Sequence, residues 1–202
     1  KISGADLLAR TAQFAHRLVD FGVKRGDRVA VQMEKSTDVI MLYLACARVG
    51  AIFLPLNTGY TQNELAYFIG DSSPALFVCD PLNEAQIKPI TTGTKTHLQT
   101  LDQAGGGSFT DQIEKRPTEF DTVPCGPDDL AAILYTSGTT GIPKGVVRDN
   151  GGHMVALKWT MTNLYNIKPG EVFWTASDTG WVVGHSYICY GPLLQGATTV
   201  IY

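Results

Sequence analysis

The sequence predicts an α/β domain with a mostly parallel sheet flanked by helices. Two observations carry this. Short apolar runs of strand length alternate with stretches whose apolar residues recur at helical spacing, the pattern of strands joined by crossover helices. The first three helical stretches also open on a Ser or Thr, and the first two close on a Gly. At 202 residues and 44% hydrophobic, the chain can bury a sizeable core as one large domain or two small ones.

Ser3-Gly4-Ala5-Asp6 has the form of a capping box. Behind it Leu7, Thr11, Phe14, Leu18 and Phe21 share a helix face, and Gly22 stops the helix. Arg28 to Met33 reads as a strand. Ser36 caps a second helix through Val49, apolar nearly all round and therefore buried, with Gly50 at its end. Ala51 to Leu56 is a second strand. Thr61-Gln62-Asn63-Glu64 is another capping box, opening a helix to about Gly70, and Ala75 to Cys79 is the next strand. Between Asp80 and Asp128 the signals weaken. His97 to Leu101 reads as a strand, Phe109 to Glu114 as a short helix, and Gly105-Gly106-Gly107 as a flexible surface turn. Residues 102–127 form a long loop or a subdomain hinge. Leu130 to Leu134 is a strand and Val146 to Arg148 is extended. Gly151-Gly152 precedes a helix to about Tyr165, and Val172 to Ala176 is a strand. Ser177 to Gly184 is a loop rich in Gly and Trp, Ser186 to Leu194 a helix or buried segment, and Ala197 to Tyr202 a final strand.

Charge and composition remove several function classes. A net charge of -3 leaves no basic footprint for nucleic acid. No uninterrupted apolar run approaches the ~20 residues of a membrane helix. Lys1-Ile2-Ser3-Gly4 has no signal-peptide character, and the missing initiator Met and the apolar last residues read as cuts in a longer protein. Cys46, Cys79, Cys125 and Cys189 are scattered, without ligand spacing for zinc, and Cys46 and Cys79 read as small core residues. A reducing, cytoplasmic setting fits, with the mitochondrial matrix as the eukaryotic alternative.

The chemistry concentrates in Tyr135-Thr136-Ser137-Gly138-Thr139-Thr140-Gly141-Ile142-Pro143-Lys144-Gly145. Glycines let backbone N–H groups turn toward an anion, hydroxyls add donors, and a lysine adds charge, so the stretch reads as a phosphate cradle. It is not a Walker A loop. Gly138 and Gly141 are three apart and Lys144 is followed by Gly145, which takes most of the support from the kinase and GTPase readings.

Every position of that stretch matches the signature of the AMP-forming acyl-CoA synthetases, and the chain resembles this adenylate-forming superfamily over almost its whole length. Ser177-Asp178-Thr179-Gly180-Trp181-Val182-Val183-Gly184-His185-Ser186-Tyr187 resembles the superfamily's next motif in its short-chain form. Glu34-Lys35-Ser36, Leu54 to Thr61 and Asp128 to Leu134 resemble malonyl-CoA synthetases. Val146 to His153 and Tyr187 to Gly196 resemble propionyl-CoA synthetases. The affinity changes near residues 141–144, as in a mosaic or in one divergent lineage.

The resemblance implies a partial N-terminal AMP-binding domain over residues 1–202, with the C-terminal domain absent. It implies that a carboxylate attacks the α-phosphate of ATP to give acyl-AMP and pyrophosphate, and that CoA then displaces AMP. Thr136, Ser137, Gly138, Thr139, Thr140 and Gly141 would wrap the β- and γ-phosphates, and Lys144 would neutralise charge from a mobile loop. Trp181, Val182 and Val183 would line a small acyl pocket suited to propionate, with ordinary core packing as the other reading. Mg2+ would be held mostly by residues of later motifs, and the fragment alone is expected to be inactive. His185 reads as a satisfied core or supporting histidine. Arg148 reads as a solvated loop residue, with contact to a carboxylate or phosphate as the other reading. Asp178 is a strand-end cap or a site residue.

Overall fold

The computed structural model describes residues 1–136 and 143–202. Helix α1 (Gly4–Asp20) begins where the Ser3 hydroxyl accepts the N–H of Asp6 at 3.1 Å and the Asp6 carboxylate accepts the N–H of Ser3 at 3.2 Å. These bonds satisfy two donors that a helix start otherwise leaves orphaned. Strand β1 (Arg28–Gln32) leads to α2 (Thr37–Val49), which Ser36 caps and left-handed Gly50 ends. Strand β2 (Ile52–Pro55) and α3 (Gln62–Ser72) follow, with the Thr61 capping box in place. Strand β3 (Leu76–Cys79), α4 (Glu84–Thr91) and β4 (His97–Thr100) complete the first half.

Strands β5 (Leu130–Thr136) and β6 (Lys144–Asp149) join the same sheet, whose order is β4-β3-β1-β2-β5-β6. All pairs are parallel except β5 with β6. Strand side chains alternate between two cores, as the period of two requires. On one face Val29, Val31, Phe53, Leu76 and Val78 meet Phe14 and Leu18 of α1 and Leu42, Tyr43 and Cys46 of α2. On the other, Ala30, Leu54, Phe77 and Cys79 meet Leu65, Phe68 and Ile69 of α3 and Ile87 of α4. The result is the expected sheet covered by helices on both faces.

Beyond β6 come α5 (Asn150–Asn163) and β7 (Val172–Trp174). A helical run then passes from α6 (Val182–Gly184) through a π-helical segment, His185–Tyr190, into α7 (Gly191–Gln195). Strand β8 (Thr198–Val200) pairs parallel with β7 in a separate two-stranded sheet.

Four expectations need correction. Gly151 and Gly152 lie inside the first turn of α5, because the Asp149 carboxylate caps the helix by accepting the N–H of Gly152 at 2.6 Å and of His153 at 3.2 Å. The predicted helix over Phe109 to Glu114 shrinks to a 3-10 turn, Ile113–Lys115, because Phe109 turns into the core against Phe14 and Phe21. Helix α4 was not predicted at all and carries Pro89 in its interior. The turn at Gly105 to Gly107 is held by hydrogen bonds and close packing. Asp102 accepts the N–H groups of Ala104 and Gly106 at 2.8 Å, and Gly107 sits so close to the Thr100 carbonyl that a side chain would collide with it.

Candidate functional site

The cradle stretch is the connection of a β-hairpin. Strands β5 and β6 pair antiparallel from Leu130 with Asp149 to Thr136 with Lys144, with one irregularity between Leu130 and Ala132. Thr136 and Lys144 therefore face each other, both exposed, where the hairpin opens into the loop. Ser137, Gly138, Thr139, Thr140 and Gly141 lie outside the described residues. Gly145 is required by close packing. A Cβ there would come within 2.9 Å of Ile133 Cγ2 and 3.5 Å of the Tyr135 ring.

Helix α3 holds both stems of the loop. On the incoming side Tyr135 donates its hydroxyl to Asp71 Oδ2 at 2.5 Å, and its ring lies 4.3 Å from that of Phe68. Burial, and then this bond to Asp71, push the Tyr135 hydroxyl well above the usual phenol range, so it stays a donor. On the outgoing side Tyr67 donates its hydroxyl to the carbonyl of Pro143 at 3.1 Å. Sequence reading missed this clamp, since nothing local marks Tyr67 or Asp71.

The second motif lies over the carboxyl ends of β1 and β2. Tyr43 of α2 donates to the Thr179 carbonyl at 2.7 Å, and Lys35 reaches the Ser177 carbonyl at 3.4 Å. The backbone of Gly180 rests on Asn57, just beyond β2, where a Cβ would be 3.1 Å from Asn57 Cα. Asp178 resolves as a turn former, accepting the N–H of Gly180 at 2.8 Å. The helix expected only from about Ser186 begins at Val182, because Gly184 fits directly under the Asp178 carbonyl, where any side chain would collide. Trp181 is 52% and Val183 50% exposed, with Val182 half-buried, so none of the three is spent on core packing.

Below this wall lies a buried polar cluster. His185 is 0% exposed, with the rings of Tyr43 at 5.4 Å, Tyr190 at 5.0 Å and His153 at 5.3 Å around it. Among the described residues neither His185 nitrogen finds a hydrogen-bond partner, nor does His153 Nε2 or Arg148 Nε. The expected core histidine is thus found, but the partner expected for it is not among them. Burial, then His153 and Arg148, lower the His185 pKa to about 3. Burial and then Arg148 also lower that of His153. Both rings are thus neutral near pH 7. The expected solvation of Arg148 fails at Nε, which is buried beside these rings. A signal for His153 existed in the sequence: Asp149 as helix cap places it in the first turn, on the buried side.

Among the described residues no group of three or more His, Cys, Asp or Glu is placed to hold a metal ion. The Mg2+ implied by the resemblance therefore finds no ligand set in them. No helix among them is long and apolar enough to cross a membrane.

A model of the AMP-binding enzyme family matches residues 1–202. The chain is 40% identical to acyl-CoA synthetase short-chain family member 3, mitochondrial, of Bos taurus, over 100% of this chain and 32% of that protein. It is 32% identical to an acetyl-coenzyme A synthetase of Nostoc linckia, over 100% of this chain and 66% of that protein. Among solved structures, ATP-bound MatB from Rhodopseudomonas palustris superposes with a TM-score of 0.93 at 39% identity, over 100% of this chain and 40% of that one. The chain thus spans about a third of the length of the mitochondrial relative. The matches to that relative and to MatB both include residues 141–144, where the two resemblances meet.

Proposed function

Because the chain belongs to the AMP-binding enzyme family, we propose that the protein it forms part of is an AMP-forming ligase that joins a short-chain carboxylic acid to CoA. Propionate is the favoured acid. The observation that carries the reading is a shared edge. The hairpin mouth at Thr136 and Lys144 and the Gly180-Trp181 segment both lie at the carboxyl ends of the parallel strands β1, β2 and β5. In open α/β sheets that edge is where ligands bind.

In this reading the hydroxyls and N–H groups of residues 136–141 bind the β- and γ-phosphates of ATP, and Lys144 offsets the charge that develops on the departing pyrophosphate. Trp181, Val182 and Val183 wall the acyl chain, and the exposure of Trp181 and Val183 fits surfaces kept for a ligand. The carboxylate attacks the α-phosphate to form acyl-AMP, and the CoA thiol displaces AMP. Malonate is the second reading, favoured by the malonyl-type residues Leu54 to Thr61. In this reading these 202 residues by themselves are inactive, with Mg2+ held mostly by residues of later motifs. The parent works in the cytoplasm, or in the mitochondrial matrix of a eukaryote; the Bos taurus relative is named as mitochondrial.

The test is pyrophosphate release by the full-length protein with ATP, CoA and acetate, propionate or malonate in turn. Propionate is expected to give the highest kcat/KM. Lys144→Ala is expected to lower it by about 10²-fold, the usual effect of removing one donor to developing charge. Release independent of any added acid, or no effect of Lys144→Ala, overturns the assignment.

A further inference from the structure

We propose that α3 positions the phosphate-binding loop, with Tyr67 and Asp71 as its two positioning residues, and that these side chains set ATP affinity without touching ATP. The inference rests on the adenylate-forming reading and adds residues that the motif itself does not contain.

Strand β6 is one of the sheet's two edge strands and is exposed along most of its length, so the hairpin ladder alone is a weak support for a loop that must hold the β- and γ-phosphates. The additional support comes from one helix face. Tyr67 and Asp71 are four residues apart on α3 and so project on the same side, one turn from each other. Asp71 takes the incoming stem through the hydroxyl of Tyr135, which directly precedes Thr136. Tyr67 takes the outgoing stem through the carbonyl of Pro143, which directly precedes Lys144. Each bond thus fixes the residue next to one that the proposed mechanism uses.

The chemistry of the two bonds suits fixing. The Asp71 carboxylate forms no ion pair within 4.0 Å among the described residues, and the Tyr135 hydroxyl occupies it. A hydroxyl on an ionised carboxylate is one of the stronger hydrogen bonds available. Tyr67 is 40% exposed, and its hydroxyl contact crosses 76 positions of sequence to the loop stem. The rings of Tyr67 and Tyr135 also approach edge to face at 6.4 Å, so the two stems share one aromatic support. Fixing Tyr135 and Pro143 removes freedom from both stems before ATP binds, which is affinity gained through preorganisation.

The experiment uses the full-length protein and the variants Tyr67→Phe, Asp71→Leu and Asp71→Asn. ATP is varied at saturating acid, the acid is varied at saturating ATP, and melting temperature is recorded. Tyr67→Phe and Asp71→Leu are expected to raise KM for ATP about three- to ten-fold, the worth of one net hydrogen bond, with KM for the acid unchanged. Asp71→Asn keeps an acceptor for Tyr135 and is expected to recover most of the loss. Unchanged KM for ATP in both loss variants overturns the proposal. So does an equal rise in both KM values together with a fall in melting temperature, which marks general destabilisation. If the unmodified protein releases no pyrophosphate with any acid, the adenylation reading fails. ATP affinity of the same variants by calorimetry then decides the anchoring role by itself: a three- to ten-fold weakening supports it, and unchanged affinity overturns it.

Discussion

His153 and His185 lie ring on ring, with centroids 5.3 Å apart and planes 26° from parallel, at the junction of α5 with the π-helical segment. Two imidazoles in such contact cannot both be protonated cheaply, and Arg148 beside them adds to the cost.

The first prediction follows from the sign of that cost. An unfolded histidine titrates near 6.5, whereas folded His185 titrates at about 3 and His153 below its ordinary value. Below pH ~6.5 the unfolded chain binds more protons than the folded one, so stability falls as pH falls, over a window reaching to about 3 for His185. The slope approaches about 1.4 kcal/mol per pH unit per group. His185→Phe is expected to flatten the decline in melting temperature between pH 7 and pH 5. A variant with the same acid slope would falsify this.

Gly184→Ala is expected to cost at least about 2 kcal/mol in denaturant unfolding, because its Cβ has no place beside the Asp178 carbonyl. Gly4→Ala is the matched control. Nothing lies within 4 Å of that position, and α1 begins there, so no loss is expected. Equal stability of the two variants would remove the tight turn from the account.

Tyr43→Phe deletes the bond to the Thr179 carbonyl but keeps the ring stacked 3.5 Å from Phe53. The expected loss is about 1–2 kcal/mol, the cost of leaving a buried carbonyl unpaired. Faster amide exchange should appear at residues 177–181, the segment this bond ties to α2. Exchange raised evenly over the whole chain would argue against a local tie.

Val183→Ala is expected to shift acid preference in the full-length protein. Removing two methyl groups from the proposed wall should raise the ratio of kcat/KM for butyrate over propionate by about ten-fold or more. A ratio that stays put takes Val183 out of the wall.

The parts legible in the sequence were those whose cause is local. The boxes at Ser3 and Thr61 are complete within four residues, so both helix starts could be read directly. Strands β1, β2 and β3 are buried on both faces and therefore appear as short apolar runs. Helix α4 was hidden because Pro89 removes a backbone donor in the helix interior and ordinarily argues against one. Packing of Ile87 in the core beneath α3 and α4 offsets that loss. At the site, the motif residues could be named from sequence, but their support could not. The bonds from Asp71 to Tyr135 and from Tyr67 to Pro143 join positions 64 and 76 apart, and only the fold brings them together.

The antiparallel return of β6 has a consequence for the charge of the cradle. In a Walker-type cradle the loop feeds a helix, so a change in loop length rotates that helix and lends or withdraws its dipole. Here the pair Thr136 and Lys144 closes the hairpin before β6 continues to α5. The positive charge at the mouth is therefore supplied by Lys144, a residue of the closing strand pair, instead of being borrowed from a helix, and it is fixed by the register of the ladder.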